Sequence, residues 1–450
     1  MLNKIWEWIK KLFGKTPIAE DDNADKARAY EDTTKVSVTA IFADALSKKA
    51  VTDSEITVTD LAGKESRRSA WIAEAVGEMV KKLRRATTQA LGKGGAVLVP
   101  YVLDGAGHID IVGHDRLVIS KMQGGRITSA TILAATAKVG DKKYFRWQDY
   151  TVEGETHTMR VRATNEQGAE VSLDTVTEWA SITPEIVTQG VDRALFAYLK
   201  SPKSSRKDTD IYGEPITYGY DYLIEQFWQC LEDIDQEYKN KKVFVGVDER
   251  LFGKGSTLPE GGIYKRLGQA TANPEKAAFW EVFDPAIRDS SYFNRYNMLC
   301  AQLEKAVGTS RGILTEPEAT AAATATEIRA ALYDTYVMVS AIRENIEAAF
   351  ADLAYALDVL AESFGVTPAG ARGDYLISYD WDLSMLESSS ETFAQLSELE
   401  SRGLILPERL TAWVTGDSQE EALKEIEEAQ ARVQQRAVNA IAGFGAEQPV

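Results

Sequence analysis

Tyr218–Asn240, YGYDYLIEQFWQCLEDIDQEYKN, places apolar side chains at Tyr220, Leu223, Ile224, Phe227, Leu231, Ile234 and Tyr238. Intervals of three and four put them on one side of an α-helix. Downstream, Val243–Val247 reads as a strand, residues 251–275 are rich in Gly and Pro, and Phe279–Phe283 reads as a returning strand. A second amphipathic helix follows Pro285, with Phe293, Tyr296, Leu299, Leu303 and Val307 on one face. Two such helices around a small insertion describe a helical hairpin with a knob at its tip. Cys230 and Cys300, one on each helix, read as core thiols.

Beyond the hairpin, residues 308–323 form a Gly/Thr/Ala-rich break containing Pro317. Thr324–Phe364 then runs about 40 residues without Gly or Pro, and at ~1.5 Å per residue it reaches about 60 Å. Such length signals a coiled coil, an assembly spine or a crossing between subunits. Tyr375–Leu383 is strand-like, and helices near 391–402, 406–414 and 418–442 close the chain, with Gly403 placed as a C-cap.

Before the hairpin lies the polar linker Ser201–Asp210, and before that a β-rich block. Its runs are Ala96–Leu103, Ile109–Val112, Leu117–Ile119, Ile127–Ala134, Lys143–Val152 and His157–Ala163. Turn signals separate them, among them Asp104-Gly105, Gly124-Gly125 and Glu153-Gly154. Tyr144, Phe145, Trp147 and Tyr150 read as packing on strand surfaces. Residues 24–48 hold a helix, and Ala70–Leu91 reads as a clearer one stopped by Gly92, Gly94 and Gly95.

The chain has 450 residues, 44% hydrophobic and 26% charged, enough for two to four domains. Two cysteines exclude a disulfide scaffold and fit a reducing cytoplasm. His108, His114 and His157 are too scattered for a metal centre, and the first two read as surface or sheet residues. No run of about 20 apolar residues offers a bilayer span. At the N-terminus, Ile5, Trp8, Ile9 and Leu12 form an apolar helix face flanked by lysines. It suits docking on protein better than a membrane surface, because the formal charge of −17 repels anionic lipid. That charge also argues against gripping nucleic acid, while an acidic channel wall would let DNA slide without deep energy wells.

Signals for catalysis fail on spacing. Gly14-Lys15-Thr16 resembles the end of a phosphate-binding loop, but the required first glycine falls at Ile9. Gly253-Lys254-Gly255-Ser256 fails likewise, and hydrolase, zinc and kinase signatures are missing. Asp380 and Asp382 share one strand face and are capable of holding a divalent cation, although 68 acidic residues make such pairs common. No catalytic residue, cofactor or metal is expected.

Several stretches, in this order, resemble the portal proteins (head-to-tail connectors) of siphophage-type tailed bacteriophages. They are Gly92–Val112, Glu178-Trp179 followed by Thr183-Pro184-Glu185, and Tyr212-Gly213-Glu214-Pro215-Ile216 with the helix reaching Asp235. Asp284-Pro285-Ala286-Ile287-Arg288, the helix through Glu304, Gly308-Thr309-Ser310-Arg311-Gly312 and Thr324-Ala325-Thr326-Glu327-Ile328 continue the series. The resemblance covers roughly residues 70–430.

The resemblance implies an α+β, mainly helical portal fold that forms a ring, commonly of twelve subunits. Its parts would be an N-terminal helical segment (1–69), an α/β wing with a small β-rich part (70–217), stem helices (218–240 and 286–307) and an α/β clip (241–285). A tunnel loop region (308–323), a long wing helix with a strand (324–385) and a helical crown (386–450) would follow. Arg311, Glu316 and Glu318 would sit at the DNA constriction. Leu251, Lys254 and Ile263 would make clip contacts, and Phe227, Leu231, Phe293 and Leu299 would pack the stem. Trp228, beside the main apolar stripe, would face a neighbouring subunit. Expected partners are other copies of the chain, double-stranded DNA, terminase, a head–tail adaptor, and the major capsid and scaffolding proteins, with no stable membrane association. The protein would sit at one capsid vertex of the virion after assembly in the bacterial cytoplasm. Two other readings stay open at this point: a metal-dependent nuclease or other DNA-processing enzyme of packaging, and a membrane-associated capsid scaffold.

Overall fold

A computed structural model describes residues 30, 35–52, 54–206, 211–240, 244–247, 264–266, 280–283, 288–316, 325–366, 372–381, 396–415, 422–429 and 431–432. The chain divides into two compact units, Met1–Thr320 with Tyr333–Trp381, and Ala321–Leu332 with Asp382–Val450.

The larger unit opens with helix α1 (Val38–Val51), whose first turn is capped by the Ser37 hydroxyl accepting from the Ala40 amide at 3.2 Å. Strand β1 (Glu55–Thr59) follows, so the N-terminal helical segment expected over residues 1–69 also contributes to a sheet. The single helix expected over Ala70–Leu91 is two, α2 (Arg67–Val80) and α3 (Leu83–Lys93), divided at Lys81 and Lys82. The break lets α3 pack on α1 while α2 covers β1 and the first long hairpin. Gly94 ends α3 at φ +101°, and a Cβ there would lie 2.4 Å from the Gly213 carbonyl, so glycine is required twice over.

Strands β2 (Gly95–Leu103) and β3 (Ala106–Gly113) form a hairpin through Asp104 at φ +50° and Gly105 at φ +79°. Both central residues of that turn are left-handed, which matches the twist of a two-residue hairpin. Then come β4 (Leu117–Gln123), β5 (Arg126–Val139), β6 (Lys142–Glu153), β7 (Thr156–Asn165), β8 (Glu170–Val171), β9 (Glu185–Gln189) and β10 (Ala197–Lys200). They build an antiparallel sheet ordered β4-β5-β6-β7-β8, with β9 also on β7, and a second sheet ordered β10-β2-β3.

This β body overturns the expectation of a mainly helical fold. Among the described residues no α-helix lies between Lys93 and Asp221. The reason is visible in β5 and β6, which run 14 and 12 residues, beyond their apolar cores. Register continues to Val139 opposite Lys142, because backbone pairing proceeds through polar residues that carry no hydrophobic signal. The aromatics Tyr144, Phe145, Trp147 and Tyr150 are all buried in this body.

Helix α4 (Asp221–Asn240), strands β11 (Phe244–Val247), β12 (Tyr264–Arg266) and β13 (Trp280–Phe283), and helix α5 (Asp289–Val307) form the expected hairpin with its insertion. The insertion's sheet is ordered β12-β11-β13, with β11 and β12 parallel. Helix α6 (Ala325–Ser363) and strand β14 (Leu376–Asp380) follow, and β14 pairs with β1 antiparallel. In the smaller unit, residues 396–401, helix α7 (Pro407–Thr415) and residues 422–429 are helical.

Strand β2 is buried on both faces. Ala96 and Leu98 join Phe42, Leu46, Met79, Leu83 and Phe350 in the helical core. Val97 and Val99 point the other way, into a second core with Ile119, Ile132, Tyr150 and Phe196. The uninterrupted apolar run of β2 is the sequence signature of that two-sided burial. Beside it, His114 is fully buried, with Nδ1 3.0 Å from the Tyr198 hydroxyl, which also accepts from the Gly213 amide at 3.1 Å. His108 stacks on Tyr101 across the hairpin. His157 is buried against Tyr150, and desolvation pushes its pKa down to about 4.

A buried ion pair ties α2 to the end of α6. The Arg68 guanidinium binds the Asp358 carboxylate, donates to the Asp358 carbonyl at 2.8 Å, and the second carboxylate oxygen accepts from the Gly373 amide at 2.9 Å. Both side chains are 3% exposed. Arg68→Met strands the carboxylate, and we expect a loss of about 3–5 kcal/mol in urea unfolding, with partial recovery in Arg68→Met/Asp358→Leu. His157 gives a second expectation. Its folded pKa lies below the unfolded value, so the unfolded chain takes the proton first. Stability therefore falls as pH drops from 6.5 and levels off below about 4. At about 1.4 kcal/mol per unit the loss approaches about 3 kcal/mol. Unfolding His157→Phe alongside the native protein across pH 4–7 isolates it as the part the variant lacks.

Candidate functional site

The exit of the hairpin is a loop held by side chains from both flanking helices. Helix α5 ends at Gly308, left-handed at φ +88°, whose amide returns to the Glu304 carbonyl at 3.1 Å. The segment then folds back over Glu304, which is 1% exposed. Glu304 Oε1 accepts the amides of Gly312, Ile313, Leu314 and Thr315 at 3.1, 2.8, 2.7 and 3.1 Å, and Oε2 accepts the Thr315 hydroxyl at 2.6 Å. From the other side, the Ser310 amide donates to Thr335 Oγ1 on α6 at 2.9 Å. One carboxylate and one hydroxyl thus fasten residues 310–315 to both helices.

The electrostatics of Glu304 set burial against hydrogen bonding. Desolvation is the largest influence and favours the neutral acid. The Thr315 hydroxyl and the amides of Leu314, Thr315 and Ile313 outweigh it together, and hold the pKa below the ordinary carboxylate value. A carboxylate in the last turn of a helix also opposes the helix dipole, so the five donors do more than satisfy it. Sequence reading passes over Glu304 because an acid four residues before a glycine looks like a surface residue. Its placement against the dipole, within an apolar face, is the signal that was present.

Of the expected tunnel residues, Arg311 and Glu316 are exposed at the two ends of this fastened loop, and Glu318 lies outside the described residues. Leu251, Lys254 and Ile263 also lie outside them, as does the N-terminal amphipathic segment. Asp380 is exposed opposite Glu55 at the β1–β14 ladder, and Asp382 is not among the described residues.

The hairpin itself is two different structures along its length. Near the body, Ile224, Phe227, Cys230, Leu299, Cys300 and Leu303 are buried, and Phe227 lies 5.6 Å from Tyr296 by ring centroids. Away from the body the helices hold together by polar contacts. Arg295 Nη2 donates to Gln226 Oε1 at 3.2 Å, Arg288 Nη2 lies 3.0 Å from Glu237, and the Tyr238 hydroxyl donates to Asp289 at 3.2 Å. Among the described residues none of 231–239 or 288–298 is buried. Leu231 is half-buried, whereas Phe293 and Met298 are 50% and 51% exposed and Tyr222 is 71% exposed. The structure therefore brings Phe227 and Leu299 together and leaves Phe293 uncovered within one chain. Trp228, expected on a neighbour, is engaged internally. Its indole donates to the Val36 carbonyl at 2.7 Å, and the Lys35 ammonium sits 4.5 Å from the ring centroid.

The fold and the site define a class of protein: an α+β body carrying a two-helix arm with a small sheet at its tip and a fastened loop at its root. No protein-family model matches the sequence, and no curated protein matches it. Among solved structures, the chain is similar to the neck of an empty GTA particle computed with C6 symmetry. That match has a TM-score of 0.47, 13% identity, and covers 89% of this chain and 94% of the other. The neck of a native GTA particle computed with C12 symmetry gives a TM-score of 0.46 and 12% identity over the same shares. Likeness at this level carries no functional weight, and the reading below rests on this chain's own residues.

Substitution tests the anchor. Glu304→Ala leaves four amides and a hydroxyl without their acceptor, and we expect a loss of about 3 kcal/mol or more in urea unfolding, with faster proteolysis at residues 311–315. Because the folded pKa is depressed, the carboxylate's contribution is present above the ordinary carboxylate range and is lost as pH falls through the folded value. The stability gap between the native protein and Glu304→Gln should accordingly close in acid.

Proposed function

We propose that this chain is a portal-type subunit: one copy of a homo-oligomeric ring, commonly twelve, at a capsid vertex of a phage-like particle. The ring would guide double-stranded DNA in and out and serve as the platform for the terminase and head–tail adaptor. It has no catalytic role in this reading. One observation carries the proposal. In the outer half of the α4–α5 arm none of the described residues 231–239 and 288–298 is buried within its own chain, yet Phe293 and Met298 are about half exposed there.

An apolar surface of that kind on a two-helix arm requires a partner, and copies arranged around an axis supply the same partner to every arm. The ordered series of portal-like stretches supports the same reading, in which the hairpin would be the stem, the insertion between its helices the clip and the fastened loop part of the tunnel loop region. The acidic charge of −17 suits a conduit through which DNA slides.

The expected outcome in mass photometry and negative-stain imaging is a ring of about twelve copies; a chain that stays monomeric in every salt condition sinks the proposal. Phe293→Asp combined with Met298→Asp should shift rings toward monomers without lowering the unfolding midpoint of the monomer. Deleting residues 311–320 should leave rings intact while impairing DNA packaging or retention, and normal packaging by that deletion would remove the tunnel assignment.

A further inference from the structure

The junction of α2 and α3 reads Lys81-Lys82-Leu83-Arg84-Arg85, a dense basic run in a chain whose formal charge is −17. All four cations are exposed. Asp44 on α1 holds Arg84 at 2.8 Å, and Glu78 pairs with Lys81 and draws on Lys82 from farther away. Two acids against four cations leave this face positive, and neither Lys82 nor Arg85 has an ion pair among the described residues. Beside the run is an open hollow of about 550 Å³, lined by Arg84, Arg85, Thr88, Gln89, Asp44 and Tyr30 among others.

Tyr30 marks where the N-terminal part of the chain meets that hollow. Its ring lies over Gly92 so closely that a Cβ there would strike it, and it packs against the helical core. Shortly before it the chain reads Glu20-Asp21-Asp22-Asn23-Ala24-Asp25, four acids and no base in six residues. These six lie outside the described residues; their composition and their tether at Tyr30 are what bear on the hollow. From Gly92 back to Arg85 is about 10 Å along α3. Asp25 and Asp22 stand five and eight residues from Tyr30, about 8 and 12 Å if coiled and up to about 17 and 28 Å if extended. In either state the acids reach Arg85 and Lys82. The two cations of this stretch, Lys26 and Arg28, come nearer the tether than any of the four acids.

We propose that the hollow on α3 is the docking site of Glu20–Asp25 of the same chain, with the carboxylates of that stretch set against Lys82 and Arg85. Exposed ion pairs contribute little one at a time. A segment tethered a few residues away arrives at high effective concentration, so several weak pairs suffice to hold it. A free polyanion has no tether, and it meets Asp44 and Glu78 on the same face. Docked in this way, the acidic stretch covers the positive face of α3. It also sets the place on the body from which the amphipathic stretch around Trp8 departs.

Amide hydrogen exchange of the full chain at low salt tests the docking. Residues 20–29 should exchange at least tenfold more slowly than a free peptide of the same sequence, and about 1 M sodium chloride should erase most of that protection. Lys82→Glu with Arg85→Glu, both at exposed positions, should remove it at an unchanged unfolding midpoint. Adding Asp22→Lys and Asp25→Lys to that variant should bring at least half of it back. A second readout leaves every charge in place: Ala24→Cys with Gln89→Cys should be closed into a loop within one chain by a short bismaleimide, the native Cys230 and Cys300 being buried. This cysteine pair decides by itself if the reversed chain does not fold. The proposal is overturned by unprotected residues 20–29 in the native chain, by protection that survives the Lys82 and Arg85 reversal, or by no recovery in the fourfold variant. Cross-links that join two chains overturn it as well, since they give the hollow to a neighbouring copy.

Discussion

Strand β2 has to be apolar on both sides, and the larger unit is organised around that constraint. Leu98 and Ala96 close the helical core while Val97 and Val99 close the core between the sheets. Because successive side chains alternate, neither face can be relieved without exposing the other, and a one-residue slip of register would exchange the two cores. Gly94 precedes the strand and Gly95 opens it, and neither leaves room for a side chain: a Cβ would strike Gly213 at the first and the Tyr198 ring at the second. The tight approach of residues 212–216 to the strand's start then sets where the arm departs from the body.

What is built on that frame grades from apolar to polar. At the root of the arm the helices share the main core, whereas at its outer half they are joined by Arg295, Arg288 and Tyr238. Exposed ion pairs of this sort contribute little, about 0–1 kcal/mol each, so the outer arm is weakly held by its own contacts. The loop at the root is the opposite case. Glu304 spends a buried charge to organise five donors, and the result is a segment fixed to α5 and, through Thr335, to α6. A firmly held loop beside an under-packed arm is a sensible division for a subunit that completes itself only among copies.

Much of this was legible in advance. The hairpin, its strands at 244–247 and 280–283, the long helix and the strand runs between Ala96 and Ala163 followed from periodicity and turn residues. The weight of β structure was not, because β5 and β6 extend through lysines, threonines and alanines whose strand state is set by pairing with neighbours. The division at Lys81–Lys82 escaped notice for a related reason: both flanking segments keep helical spacing, and only packing on α1 turns the second one away. Trp228 looked available to a neighbour, and segment 35–36 from far along the chain took it instead.

Local pattern thus determined by itself the helical hairpin, the long helix and the strand runs between Ala96 and Ala163, since spacing, turn conformation and apolar runs act over a few residues. Tertiary structure alone decided which polar side chains are buried together. Arg68 meets Asp358 across 290 positions of chain, and Glu304 captures a loop that looks like an ordinary linker. Such pairings depend on a desolvated environment that no single stretch contains, and it exists only once distant segments have excluded water together.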